Sequence, residues 1–367
     1  MKLQRHGVVA CLALTAALGL TACGSDNDEL TAGSAASAAS ADCATGTLNA
    51  QGSSAQKNAM AEWIKAYQQK CAGSRINYEP SGSGAGIQAL IAGTADFAGS
   101  DSALKPEEQP QADARCIGGG KAIHLPMVIG PVAVAYNVSG VENLQLKPAT
   151  LAKIFAGAVN RWNDPAIKAD NPDAKLPSTT IQTVHRADES GTTDNFTRFL
   201  AKTAGADWTF ANAKAWQAPG GTGAKGSDGV ASSIKGADGS IGYLEWSFAE
   251  NAALPMAKIG NGAGEFAELT AANAGRTIAG AAIEGQGDDL KMSIDYDTKE
   301  AGAYPIVLVT YEIVCGKGLA ADKLPLVKGL LGHAASSQGQ AELTELGYAP
   351  LPDSVRAKVE AAVGNIS

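Results

Sequence analysis

The sequence predicts an α/β fold in two lobes, each a mainly parallel sheet flanked by helices, joined by two hinge crossings. Three observations predict it. Short apolar strands alternate with helices along the chain, the pattern of a doubly wound sheet. The folded part begins near Asp42 and runs for roughly 325 residues, more than one core comfortably serves. Two long apolar strands stand apart, Met127 to Val138 and Tyr304 to Val314. Each has an early glycine or proline and then stays hydrophobic, so they read as the two passages between lobes.

The elements follow in chain order. Lys2 and Arg5 form a basic start, and the apolar run from Val8 to Leu18 is too short for a membrane span, so residues 1–22 read as a signal peptide. Leu20-Thr21-Ala22-Cys23 resembles a bacterial lipobox, which implies cleavage before Cys23 and lipid on its thiol. Residues 23–42 include the all-alanine-and-serine stretch Ser34 to Ala41 and read as a flexible tether. The helix after Ser54 carries Met60, Trp63, Ile64 and Tyr67 on one face. Arg75 to Tyr78 reads as a strand, and the next helix places Ile87, Leu90 and Ile91 together before Gly93. Asp96 to Ser100 is a short strand ending at Asp101. Pro148 to Phe155 and Asp188 to Phe199 are helices, with Ile181 to His185 a strand between them. The glycine-rich segment Pro219 to Gly229 reads as a surface loop, and little is legible from Gly260 to Gly287. The first lobe is then 43–130 plus 310–367, and the second 131–309.

Composition narrows the partners. Net charge is −8 with no basic run, which argues against nucleic acid. Six cysteines are present; Cys11 lies in the signal and Cys23 is the lipid site. Cys43, Cys71, Cys116 and Cys315 remain, an even number that in an exported chain implies two disulfides with three possible pairings. A strand over 44–52 rises about 30 Å and a helix over 55–71 returns about 25 Å. This geometry favours Cys43–Cys71, and Cys116–Cys315 follows by elimination. No two cysteines have CxxC spacing, so no zinc site is expected.

One motif recurs three times: a strand, a turn of small and hydroxyl residues, and a helix start. The copies are Gly52 to Gln56, Ser81 to Gly86, and Ser190 to Thr193. Such helix starts leave N–H groups unpaired beside hydroxyl donors, and the helix dipole adds partial positive charge. Arg186 offers a bidentate fork to two oxygens, and Asp188 is placed to hold its guanidinium. Taken alone, this segment also fits a capped helix with a surface salt bridge. Asp101 is the discriminating residue, because a carboxylate repels an anion unless that anion brings a proton to share. Hydrogen phosphate does so at neutral pH and sulfate does not. Taken alone, Asp101 also fits a helix cap before Pro106-Glu107-Glu108.

These residues in combination resemble the phosphate-binding protein of bacterial high-affinity phosphate ABC importers. The resemblance rests on Gly82 to Gly86, Asp96 to Asp101 and Arg186 to Thr192, with Trp162-Asn163-Asp164-Pro165 and Ile241-Gly242-Tyr243 in support. It covers about 43–365, and the lipobox and cysteines resemble the actinobacterial lipoprotein members. It implies a periplasmic-binding-protein-like (type II) fold. It implies that Ser54, the Ala55 N–H and Ser83 bind phosphate from one lobe. Asp101 accepts the ligand's proton, and Arg186, Ser190, the Gly191 N–H and Thr192 bind from the other lobe. Asp188 would orient Arg186. Some members have threonine and an aromatic residue where this chain has Ser54-Ala55, which leaves open whether Ser53 or Ser54 is the main hydroxyl ligand.

An enzyme is the rival class. Outside the signal only His124, His185 and His333 occur, with no GxSxG elbow and no metal-ligand spacing. Gly221 to Gly226 matches GxGxxG but follows proline and glycine rather than a strand. The expectation is therefore a non-enzymatic, lipid-anchored, monomeric receptor without cofactor or metal. It would capture inorganic phosphate outside the cytoplasmic membrane and deliver it to an ABC permease. The alternatives are a receptor for sulfate, molybdate or a phosphonate, and a phosphatase.

Overall fold

The computed structural model describes residues 43–367. The signal peptide, Cys23 and the tether lie outside the described residues. The strands of the main sheet are β1 (Gly46–Gly52), β2 (Ser74–Glu79), β3 (Phe97–Ser100), β4 (Ala122–Asn137), β5 (Gln182–Arg186), β6 (Thr222–Ala224), β7 (Ser240–Glu245) and β8 (Val307–Cys315). They lie in the order β2-β1-β3-β8-β4-β7-β5-β6. The pairs β1–β2, β1–β3, β5–β6 and β5–β7 are parallel. The antiparallel pairs all involve a crossing strand: β8 with β3 and β4, and β4 with β7. The sheet is thus mixed, parallel at its flanks and antiparallel at its centre, because the two crossing strands run in opposite directions.

Strand β4 belongs to both lobes. Its first part, Ala122 to Pro131, pairs with β8, and its second part, Val132 to Asn137, pairs with β7. Pro131 has no N–H to continue the first ladder, and the Val132 N–H instead donates to the Ile306 carbonyl at 2.8 Å. Burial on both faces explains the unbroken apolar run: every residue of β8, and all of β4 except Asn137, is buried.

Helix α1 (Lys57–Lys70) buries Ala59, Met60, Trp63 and Tyr67, while Ile64 is half-buried. Each large side chain buried there contributes about 1.5–3 kcal/mol. Helix α2 (Ser83–Ala92) lies hard against the end of β1, since a Cβ at Gly86 would stand 2.5 Å from the Gly52 Cα. That contact brings the second hydroxyl turn beside the first. Cys43 is bonded to Cys71 and Cys116 to Cys315.

Two regions depart from the sequence reading. The segment Pro219 to Gly229 is not a loop. Residues 222–224 form the edge strand β6, and Gly226–Gly236 form a helix. Its glycines hid a strand whose ladder is made by backbone alone. The alanine-rich region after Gly260 forms helix Ala271–Ala279 and a hairpin, Ala282–Ile283 against Met292–Ser293. The hairpin reaches back to β4 and β8. Leu290 N–H donates to the His124 carbonyl at 2.9 Å, Asp289 Oδ1 lies 2.7 Å from His124 Nδ1, and Met292 N–H donates to the Tyr311 hydroxyl at 3.0 Å.

Glu312 is a charged residue type at the centre of β8, fully buried, and neither carboxyl oxygen has a hydrogen-bond partner. Burial pushes its pKa up to about 8; Gln56 opposes this shift and the Asp101 charge reinforces it. An acid raised this way is neutral below its folded pKa and costs stability as pH climbs from the unfolded value toward it. Glu312→Gln should therefore gain on the natural protein between pH 5 and 9 by on the order of a few kcal/mol. Urea unfolding of both proteins across that range checks this. Parallel stability curves would contradict it.

Candidate ligand-binding site

Every site group sits just beyond the carboxyl end of a parallel strand. Ser53 and Ser54 follow β1, Ser83 follows β2, Asp101 follows β3, Arg186 ends β5, and Gly226-Ser227 follow β6. This edge is where α/β sheets collect ligands. The turns from the two lobes face one another there. Ser53, Ser54, Ser83, Asp101, Arg186, Ser190 and Thr192 are all buried.

Ser83 Oγ joins the lobes. It accepts the Asp101 N–H at 3.2 Å and the Gly191 N–H at 3.1 Å, and its own hydroxyl faces Asp101 Oδ2 at 3.4 Å. A Cβ at Gly191 would lie 2.5 Å from the Asp101 Cβ and 2.7 Å from Ser83 Oγ. Glycine is thus required for this close approach. Ser190 caps helix α3 (Gly191–Thr203), accepting the Thr193 N–H at 3.3 Å. The capped-helix interpretation therefore holds for this segment, but its salt bridge is buried rather than on the surface.

Arg186 is 2% exposed. Its Nε donates to Asp188 Oδ1 at 2.8 Å, and its Nη2 donates to Asp188 Oδ2. Nη1 is left facing the third turn, 3.5 Å from Thr192 Oγ1. Asp188 Oδ1 also accepts the Gly226 N–H at 3.0 Å. Burial alone would push the Asp188 carboxyl up, but the Arg186 hydrogen bonds and charge, with the Gly226 N–H, bring it below its usual value. The tyrosine behind them, Tyr243, accepts the Arg186 N–H at 3.2 Å, shares a 2.7 Å hydrogen bond with Thr193, and stacks on Phe196.

Asp101 behaves in the opposite sense. Burial raises its pKa, against hydrogen bonds from Ser53, Thr310 and Ser83 and the Arg186 charge. It does not cap the segment before Pro106; its Oδ1 accepts the Thr310 hydroxyl at 2.8 Å instead. Arg186 and Asp188 neutralise each other, so Asp101 is the unbalanced charge among otherwise neutral donors.

The first turn divides its two serines. Ser53 Oγ accepts the Ala55 N–H at 3.0 Å and is one of the groups acting on Asp101. Ser54 Oγ faces the other lobe, accepting the Ser227 N–H at 3.2 Å. Ser227 and Gly226 lie in a stretch whose glycine content reads as a loop in sequence; the signal for a helix there is the Gly-Ser pair opening an amphipathic run, Val230 and Ile234.

Further contacts tie the lobes around this centre. Asn195 Nδ2 donates to the Asp101 carbonyl at 2.7 Å, and Ser102 Oγ to Asp194 at 2.7 Å. The nearly buried pair Lys214–Glu108 stands at 3.4 Å. Among the described residues no three His, Cys, Asp or Glu side chains are grouped to hold a metal ion, and no helix is long and apolar enough to cross a membrane.

The chain matches the PBP superfamily domain over residues 37–337. It is 43% identical over its full length, and that of its relative, to phosphate-binding protein PstS 3 of Mycobacterium tuberculosis. It is 33% identical to phosphate-binding protein PstS of Pasteurella multocida, covering 86% of this chain and 89% of that one. Among solved structures it resembles a high affinity periplasmic phosphate-binding protein bound with phosphate, with a TM-score of 0.71 and 25% identity over 86% of this chain and 93% of the other. By fold, by full-length identity and by domain match, this chain belongs to the PBP superfamily, in the branch of the PstS phosphate-binding proteins.

Proposed function

We propose that this protein is an extracytoplasmic receptor that captures one inorganic phosphate between its lobes and delivers it to the permease of an ABC importer. The observation that carries this reading is Asp101: a buried carboxylate beside Arg186 Nη1, Ser83, Thr192 and the helix start at Gly191. A fully ionised tetrahedral anion placed there would repel it by about 4 kcal/mol for a unit charge 4 Å away at an effective dielectric of 20. An anion that still carries hydrogen turns that repulsion into a hydrogen bond.

Ser54, the Ala55 N–H and Ser83 would hold the ligand from the first lobe, and Arg186, Ser190, the Gly191 N–H and Thr192 from the second, the Ala55 and Gly191 N–H groups exchanging Ser53 Oγ and Ser83 Oγ for ligand oxygens. Asp188 positions Arg186. With lobes of 43–130 plus 310–367 and 131–309, binding favours the closed state through contacts that only closure completes. The role is binding, not catalysis. His124 accepts the Leu104 N–H, His185 stacks on Trp216, and His333 lies beside Glu342. Lipid on Cys23 would anchor a monomer to the cytoplasmic membrane, where the closed form docks on the permease.

Titration calorimetry tests the assignment. Phosphate should bind tightly, and sulfate and molybdate weaker by about 10⁴–10⁵ fold. Tight sulfate binding would remove the role given to Asp101. Asp101→Asn should narrow the gap between phosphate and sulfate; an unaltered ratio would count against proton sharing. Arg186→Ala should weaken phosphate binding by about 2–5 kcal/mol, and a slight loss would mean that the anion does not touch Arg186.

A further inference from the structure

We infer that Thr310, on the hinge strand β8, is the positioning residue that makes Asp101 selective. This rests on the proposed role of Asp101 as acceptor of the ligand's proton.

The geometry gives the two carboxylate oxygens different work. Oδ1 accepts the Thr310 hydroxyl at 2.8 Å. Oδ2 has two long contacts, 3.4 Å to Ser83 Oγ and 3.5 Å to Thr192 Oγ1, and Ser53 also acts on the carboxylate. A Cβ at Gly191 would stand 2.8 Å from Oδ2, so this oxygen points at the third turn, where the anion donors lie. Thr310 therefore ties up the oxygen facing away from the donors and leaves the other one for the guest.

The backbone supports this placement. Thr310 is fully buried and pairs with Val128, whereas its neighbour Tyr311 pairs with Pro126. The register slips by one at that step, leaving Met127 without an opposite residue. Such a bulge re-aims side chains locally. Tyr311 is also paired with Ser100, the residue before Asp101, so strand pairing and the hydroxyl bond fix the same carboxylate.

Two consequences follow for discrimination. A carboxylate held by one oxygen cannot swing to bring its other edge away from the guest, so an ion without hydrogen meets a fixed repulsive acceptor. A hydroxyl donating to the carboxylate also favours its ionised, accepting form against burial. Without Thr310, Asp101 loses its 2.8 Å hydrogen bond and can more readily rotate or take up a proton and become a donor. Either change admits an ion such as sulfate.

The test compares phosphate and sulfate affinities by calorimetry in full-length mature protein. Thr310→Val removes the hydroxyl at nearly constant shape and should lower the phosphate-over-sulfate ratio about tenfold to a hundredfold. Thr310→Ser should restore it. Asp101→Asn is measured in parallel. If it lowers the ratio while Thr310→Val leaves it unchanged, the inference is overturned and the role of Asp101 stands. If Asp101→Asn itself leaves the ratio unchanged, both are overturned. A Thr310→Val protein that only loses thermal stability, at constant ratio, assigns Thr310 a structural role and refutes the proposal. Should Thr310→Val not fold, Thr310→Ala gives the same readout.

Discussion

One buried carboxylate, Asp101, sets the terms for the rest of the site. It lies where a helix start and hydroxyl groups would otherwise welcome an anion, and its charge is not cancelled. Arg186 is already neutralised by Asp188 on its Nε and Nη2 edge. The remaining donors are neutral, so in the proposed function affinity would come from hydrogen bonds rather than from net charge. This is why a chain of net charge −8 can serve as an anion receptor. Long-range attraction is not needed when the local dipoles are prepared in advance.

The fold exists in a form that brings such groups together. Parallel strands deliver Ser53, Ser83, Asp101, Arg186 and Ser227 to one edge, and glycines at 52, 86 and 191 let backbones approach until those groups touch. The crossing strands β4 and β8 run through both the core and the hinge. Their pairing places Thr310 under Asp101 and buries Glu312 one step further along the same face. Burial on that strand pushes the Glu312 carboxyl up to about 8, on the same face as Thr310.

Much of this was legible in the sequence because it is local. Ser83, Asp101 and the run from Arg186 to Thr192 lie in short motifs whose chemistry follows from spacing, and the Arg186–Asp188 pair needs only two residues. The long apolar runs of the crossing strands mark them as the passages between lobes in sequence. What was illegible depends on distant partners. Thr310 meets Asp101 across 209 residues of chain, and Ser54 meets Ser227 across 173. No local pattern marks either. The strand at 222–224 was hidden because glycine has no side chain to show a period, and the hairpin at 282–293 was hidden because each of its strands is only two residues long. The choice between Ser53 and Ser54 was open in sequence; in the fold they face different ways, one toward Asp101 and one toward Ser227.

The most direct measurement is an atomic-resolution crystal structure of the protein with phosphate. The account predicts a phosphate oxygen about 2.5–2.7 Å from Asp101 Oδ2, with Arg186 Nη1 on a second oxygen and Thr310 still donating to Oδ1. Phosphate bound elsewhere, or Asp101 turned out of the cleft with its carboxylate in water, would contradict it.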